Sequence, residues 1–224
     1  MKHRKSIGLT FAVLAITSAP MTSTAFAGLP EFQQAGKFVG TGLKAVLETE
    51  GAGPTRVECQ TSEIEGEVLV AKVKIAKKIN IRFQGCESGG IECKTAGAAA
   101  KEIKTEALEG EVGYIKPAVG GAKTIVFALE AEAVGGPIAK YTCANADEEK
   151  GCLAGALSNA SELTKKFTLV FKQLAGVQEI IEYEPEKTVK KKCVLKVKIG
   201  AEEKTDALET TQKIITCPGM EVKS

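Results

Sequence analysis

The side chains that most often carry chemistry are histidine, cysteine and closely spaced carboxylates, and this sequence distributes them unevenly. Its one histidine, His3, sits inside an N-terminal segment built like a secretory signal. Lys2, Arg4 and Lys5 give the basic region, Ile7 to Ala19 the apolar run, and Ala25-Phe26-Ala27 a small-x-small cleavage site. Cleavage after Ala27 leaves a chain without imidazole. That excludes a Ser-His-Asp or Cys-His nucleophile and any zinc site that needs histidine. Carboxylate-only chemistry survives, because a glycosidase needs just two Asp/Glu flanking one bond. Of the 28 acidic residues only Asp147 and Asp206 are aspartates, and most glutamates fall on the polar side of alternating segments. Solvated Lys–Glu pairs account for such positions. Asp147-Glu148-Glu149 offers hard oxygens for Ca²⁺ but lacks the spaced ligands of a calcium loop, and it reads as an exposed acidic loop. No catalytic, cofactor or metal residue is assigned, and the chain is not expected to be an enzyme.

Cysteine is the second resource. All seven cysteines lie beyond Ala27, and in an exported chain they read as disulfides rather than metal ligands. Cys86 and Cys93 are symmetric about Gly89-Gly90. A two-residue primed turn there, with glycine supplying positive φ, pairs Ser88 with Ile91, Glu87 with Glu92 and Cys86 with Cys93, within disulfide reach. Cys143 and Cys152 bracket a short polar loop, and Cys193 and Cys217 are symmetric about Thr205 in a hairpin-like segment. The expected bridges are therefore Cys86–Cys93, Cys143–Cys152 and Cys193–Cys217. Cys59 is left odd, either as a buried thiol or as the sign of a different pairing, since connectivity does not follow from sequence.

The elements that must hold these residues are strands. Between 70 and 83, Val73, Ile75, Ile79, Ile81 and Phe83 alternate with Lys72, Lys74, Lys78, Asn80 and Arg82, with Lys77 marking a bulge or an edge. The same period recurs at Val57/Cys59, Ile125/Phe127/Leu129, Phe167/Leu169/Phe171 and Leu195/Val197/Ile199, with Thr210 to Cys217 closing the last hairpin. Leu163 falls in a single short helical turn and Asn159-Ala160-Ser161 in a polar loop. Residues 98–109 divide evenly between helix and strand on periodicity alone. The fold class is all-β: an antiparallel sandwich or barrel of about a dozen short strands, stapled by disulfides and with little helix.

Loss of residues 1–27 removes three basic residues and no acid, leaving 27 Lys/Arg against 28 Asp/Glu. That balance asks for neither a polyanion nor a membrane surface. No later segment approaches a spanning length, and Gly28 in place of cysteine argues against a lipid anchor. Residues 28–224 read as one secreted domain. Two basic rows, Lys72/Lys74/Lys78/Arg82 and Lys190/Lys192/Lys196/Lys198, offer an anionic wall polymer a surface. Edge lysines that keep a sheet soluble explain them more simply. Too few aromatics interleave with them for nucleic acid.

The run Cys86, Gly89-Gly90, Cys93, Ala96-Gly97-Ala98 and Leu108-Glu109-Gly110-Glu111-Val112-Gly113-Tyr114-Ile115 resembles a family of uncharacterised secreted actinobacterial proteins. Weaker similarity reaches Phe167 to Gln173 and Leu208 to Thr211, whereas Ala144 to Cys152 departs from the pattern. The family carries Gly and Pro where this chain has Lys101 and Ala107, which implies strand over 98–109. It brings no activity and no site residues. The function expected is a secreted, non-catalytic β-domain that is structural, adhesive or ligand-binding at the cell exterior, with a cell-wall polymer or another extracellular protein as partner. The alternative is a carboxylate-dependent hydrolase acting on polysaccharide.

Overall fold

Period-two segments become strands wherever the computed structural model describes them, which is over residues 28–53, 55–115, 123–158, 164–186 and 188–223; among these there is no helix. The expected signal segment, Leu163 and Asn159-Ala160-Ser161 lie outside the described residues. Fourteen strands form the frame. They are β1 (Gly36–Gly42), β2 (Ala45–Thr49), β3 (Arg56–Cys59), β4 (Thr61–Val68), β5 (Ile75–Gln84), β6 (Glu87–Ser88) and β7 (Ile91–Glu92). Then come β8 (Leu108–Ile115), β9 (Thr124–Ala131), β10 (Pro137–Thr142), β11 (Ala146–Ser158), β12 (Thr164–Phe171), β13 (Leu195–Ile199) and β14 (Glu202–Met220).

Their antiparallel ladders close twice. In the first ring β1 pairs β4, then β5, β8, β9, β11, β12 and β14 follow, and β14 returns to β1. In the second the order is β10, β11, β13, β14, β2, β3, β6 and β7, and the bridge Lys94↔Thr142 brings the chain after β7 back to the end of β10. The long strands β11 and β14 run through both rings, so the barrels are stacked and share one hydrogen-bonded network. Closure removes the exposed sheet edges that invite aggregation. The expected choice between sandwich and barrel thus resolves to two joined barrels.

The first ring is filled by apolar side chains. Phe32 and Phe38 meet Phe127 edge-on at 5.8 and 6.4 Å between ring centroids. Ile64, Ile79, Leu129, Leu169 and Phe171 are fully buried around them. Gly110 makes room for the Phe127 ring, since a Cβ there would lie 2.3 Å from its Cζ. The register of β4 on β5 shifts between Glu65↔Asn80 and Glu67↔Lys77, so the irregularity expected at Lys77 is a bulge. The extra residue flips the phase upstream of it, so Ala76 turns inward and Ile75, expected inside, is exposed. Residues 102–104 form a short strand against β5, and no helix forms over 98–109. Lys101 takes a φ of 57°, a left-handed position that suits glycine.

The hairpin at Gly89-Gly90 has the expected register, Glu87↔Glu92 and Ser88↔Ile91, and the Cys93 amide donates to the Cys86 carbonyl at 3.0 Å. The sulfurs nevertheless go elsewhere. The bridges are Cys59–Cys86, Cys93–Cys143 and Cys152–Cys193, so none of the three expected pairings forms. The reason is lateral. Glu58↔Glu87 places Cys59 directly beside Cys86, and Lys94↔Thr142 places Cys143 beside Cys93. Each hairpin cysteine therefore has a neighbour on its outer side as well as across the turn. Cys143 and Cys152 do not bracket a loop, because the chain re-enters strand at Ala146 and carries Cys152 to the waist. The Cys193–Cys217 symmetry about Thr205 fails because the hairpin turns at Gly200-Ala201, pairing Lys196 with Thr205. Cys217 instead opposes Lys37 in the first ring. Cys59, expected to be left odd, is bridged to Cys86.

Candidate functional site

Two places in this frame gather polar groups. The first is the interior of the second ring. Strand register puts Tyr141 opposite Asp147, Ala139 opposite Glu149, Glu149 opposite Val197 and Leu195 opposite Asp206. Directly opposed residues share a face, so Tyr141, Asp147, Glu149 and Asp206 all point where Leu195, Val197 and Leu208 point, into the barrel. Asp147 is 6% exposed, Glu149 2% and Asp206 2%. The exposed acidic loop expected over Asp147-Glu148-Glu149 is therefore a strand whose outer residue alone, Glu148, faces outward to Lys150 at 2.8 Å.

Inside, the Tyr141 hydroxyl donates to Glu149 Oε1 at 2.8 Å, and the Ala207 amide donates to Asp206 Oδ1 at 2.9 Å. Glu149 Oε2 and Asp147 Oδ1 receive no hydrogen bond. Burial, then the neighbouring Asp206 charge and the hydrogen bond to Asp206, push the Glu149 carboxyl well above its ordinary range, while the Tyr141 bond pulls it down. Burial pushes Asp206 up to about 6 against the downward pull of Glu149 and of the Ala207 amide. Burial alone lifts Asp147 to about 6. A buried carboxyl oxygen with no donor is satisfied when it carries the proton itself. Burial among other acids thus favours the neutral form of Glu149. Two facing, desolvated carboxyls are what sequence reasoning missed. The only available signal was the alternation of Asp147 and Glu149 about Glu148, ahead of the buried run through Leu153.

A cavity of about 340 Å³ opens at the mouth of this ring, beside Tyr141 and Asp147 and flanked by Lys140 and Lys198. Glu149 and Asp206 are not among its lining residues. Among the described residues no group of three His, Cys, Asp or Glu is placed to hold a metal ion.

The second place is the waist, where β1 passes into β2 and β3 into β4. A cleft of about 940 Å³ lies there. Thr41, Thr61 and Thr211 supply hydroxyls along it, and Gln84 and Gln173 supply amides. Glu63, Glu209, Lys44, Lys172 and Lys213 border it, and Leu43, 79% exposed, stands at its rim. Beneath it Gln212 donates to Ser62 Oγ at 2.6 Å, while the Gln212 carbonyl oxygen receives no hydrogen bond.

Half of the residues in the two basic rows, Lys78, Arg82, Lys190 and Lys196, pair with acids. Lys74 donates to the Pro185 carbonyl at 2.9 Å, Lys78 pairs with Glu67, and Arg82 reaches Glu102 at 3.3 Å. Lys190 pairs with Glu182 and Lys196 with Glu203, each at 2.6 Å. These are the solvated cross-strand pairs anticipated for most glutamates. Of the residues singled out for bridges, all but Cys217 lie at or near the waist or the second ring. No protein-family model matches this chain, and no significant match is found to a curated protein or to a solved structure.

Proposed function

We propose that this chain is a secreted, non-catalytic β-domain that binds a neutral, hydroxyl-rich polymer at the cell exterior through the waist cleft. The carrying observation is the contrast in access. The Glu149 and Asp206 carboxyls are buried inside a barrel, whereas the large open cleft presents threonine hydroxyls and glutamine amides. Such groups exchange hydrogen bonds with sugar hydroxyls without requiring charge. Three disulfides suit an oxidising compartment, and the signal-like residues 1–27 and the resemblance to secreted actinobacterial proteins support export. A stiff, twice-closed frame suits a role that is adhesive or structural.

The Glu149–Asp206 pair favours a second reading, a carboxylate-dependent hydrolase of polysaccharide. A glycosidase needs both carboxyls at the bond they cleave. Here both groups are only 2% exposed and neither lines the mouth cavity, which speaks against that chemistry. Screening residues 28–224 against a panel of cell-wall and plant oligosaccharides separates the readings. Binding without turnover, abolished by Thr211→Arg, is the expected result. Turnover lost in Glu149→Gln establishes the hydrolase. Neither binding nor turnover sinks both.

A further inference from the structure

The second ring buries three acids, and among the described residues no Lys or Arg is buried with them. Glu149 projects from β11 between Ala139 and Val197, and Asp206 from β14 between Leu195 and Thr49. The ionisable groups that act most strongly on Glu149 are Asp206, Asp147 and Tyr141; on Asp206 they are Glu149, Asp147 and Glu48. Every one of these is acidic. The orphaned Glu149 Oε2 and Asp147 Oδ1 add unpaired acceptors to the same interior. A second negative charge here has no neighbouring cation among these groups to offset it.

We propose that protonation of the Glu149–Asp206 carboxyl pair locks the second barrel, so that this half of the molecule is closed in acid and loosens as the medium turns neutral and alkaline. The sign follows from which state holds the proton. Both groups bind protons more tightly in the folded chain than their ordinary values imply. Between the ordinary carboxylate range and the raised folded values, the folded state therefore carries more protons than the unfolded one, and stability falls as pH rises. Below that range both states are protonated and the contribution is fully present. This opposes the usual behaviour of a salt-bridged carboxylate, which stabilises at neutral pH and fails in acid.

Place in the fold sets what moves. The pair straddles β13, since Glu149 opposes Val197 and Asp206 opposes Leu195 on that strand. On the far side of the ring, Cys59–Cys86 and Cys93–Cys143 tie β3 to β6 and the end of β7 to the end of β10. Repulsion between two carboxylates is thereby directed onto β13 and its Gly200 turn, which borders the mouth cavity. Loosening of β13 widens that mouth while the cysteine side stays shut.

The test is urea unfolding of the oxidised residues 28–224 from pH 4 to pH 8 at fixed ionic strength, followed by far-UV circular dichroism. The expected result is a midpoint that falls as pH rises through about 6, by up to about tenfold in the folding equilibrium constant per pH unit for each group that titrates. Glu149→Gln and Asp206→Asn should each flatten the profile, whereas Glu148→Gln, on the outer face of the same strand, should not. A wild-type profile that is flat or rises, or one whose slope is undiminished in both inner variants, overturns the proposal; the slope that Asp147 contributes remains in each. Should neither variant fold, carbon-13 NMR of the wild-type carboxyls decides. Glu149 titrating well above the ordinary carboxylate range supports the lock, and Glu149 titrating within that range refutes it.

Discussion

The two barrels share β11 and β14 yet solve closure differently. In the first ring, β1 and β4 run together over seven residue pairs and β8 and β9 over eight, around an interior of Phe32, Phe38, Phe127, Leu129 and Phe171. In the second, β3 meets β6 through the single pair Glu58↔Glu87, and the isolated bridge Lys94↔Thr142 brings the chain after β7 to β10. Each of these short ladders lies next to a disulfide, Cys59–Cys86 in one case and Cys93–Cys143 in the other. Where ladder and apolar filling are long, non-covalent burial suffices; where both are short, a covalent link takes over. The shorter ring is also the one that holds Tyr141, Asp147, Glu149 and Asp206 inside, whereas buried polar side chains of the first ring such as Ser62 and Gln212 are uncharged.

That contrast can be broken most forcefully at the staples. Replacing Cys93 and Cys143 together by alanine should cost about 2–5 kcal/mol. Hydrogen exchange should show the amides of β10 and β13 losing protection before those of β8 and β9; simultaneous loss in both rings would mean the barrels are one cooperative unit. A change in the opposite direction is expected from removing the acids. Glu149→Met with Asp206→Leu swaps a buried polar pair for apolar volume and should raise stability at pH 7 by roughly 1–4 kcal/mol, measured as the urea midpoint, with little gain at pH 4. The first ring is probed by Gly110→Ala, whose new methyl meets the Phe127 ring. Overpacking there should cost about 1–3 kcal/mol at every pH, so a pH-dependent penalty would contradict the separation of roles. At the small end, Lys196→Ala removes an exposed pair with Glu203 and should leave the unfolding midpoint unchanged within error.

Much of the frame was legible in the chain. Alternation at Ile79/Ile81/Phe83, Phe167/Leu169/Phe171 and Leu195/Val197 marks inward faces because side chains on a strand point to opposite sides in turn. The Gly89-Gly90 turn and its register were readable because both requirements, positive φ and two-residue length, are local. The bulge at Lys77 announced itself as a break in the row, but the phase flip it caused at Ile75 and Ala76 did not. The candidate site was much less legible. Asp147-Glu148-Glu149 looks like a loop because charge in a row suggests solvent, and only the pairing of β11 with β10 and β13 turns two of its three side chains inward.

Residue type and local period decided that this chain is all-β, where its tight turns fall and which stretches alternate. They did so because pleating and turn geometry act over two to four neighbours. Sulfur partners and the burial of Glu149 against Asp206 were decided by tertiary structure alone. Both depend on which distant strands lie side by side: Cys86 finds Cys59 and Cys93 finds Cys143 through lateral pairing, and the acids meet across β13. A strand's own sequence prescribes its two faces but not its neighbours, and ring closure selects those.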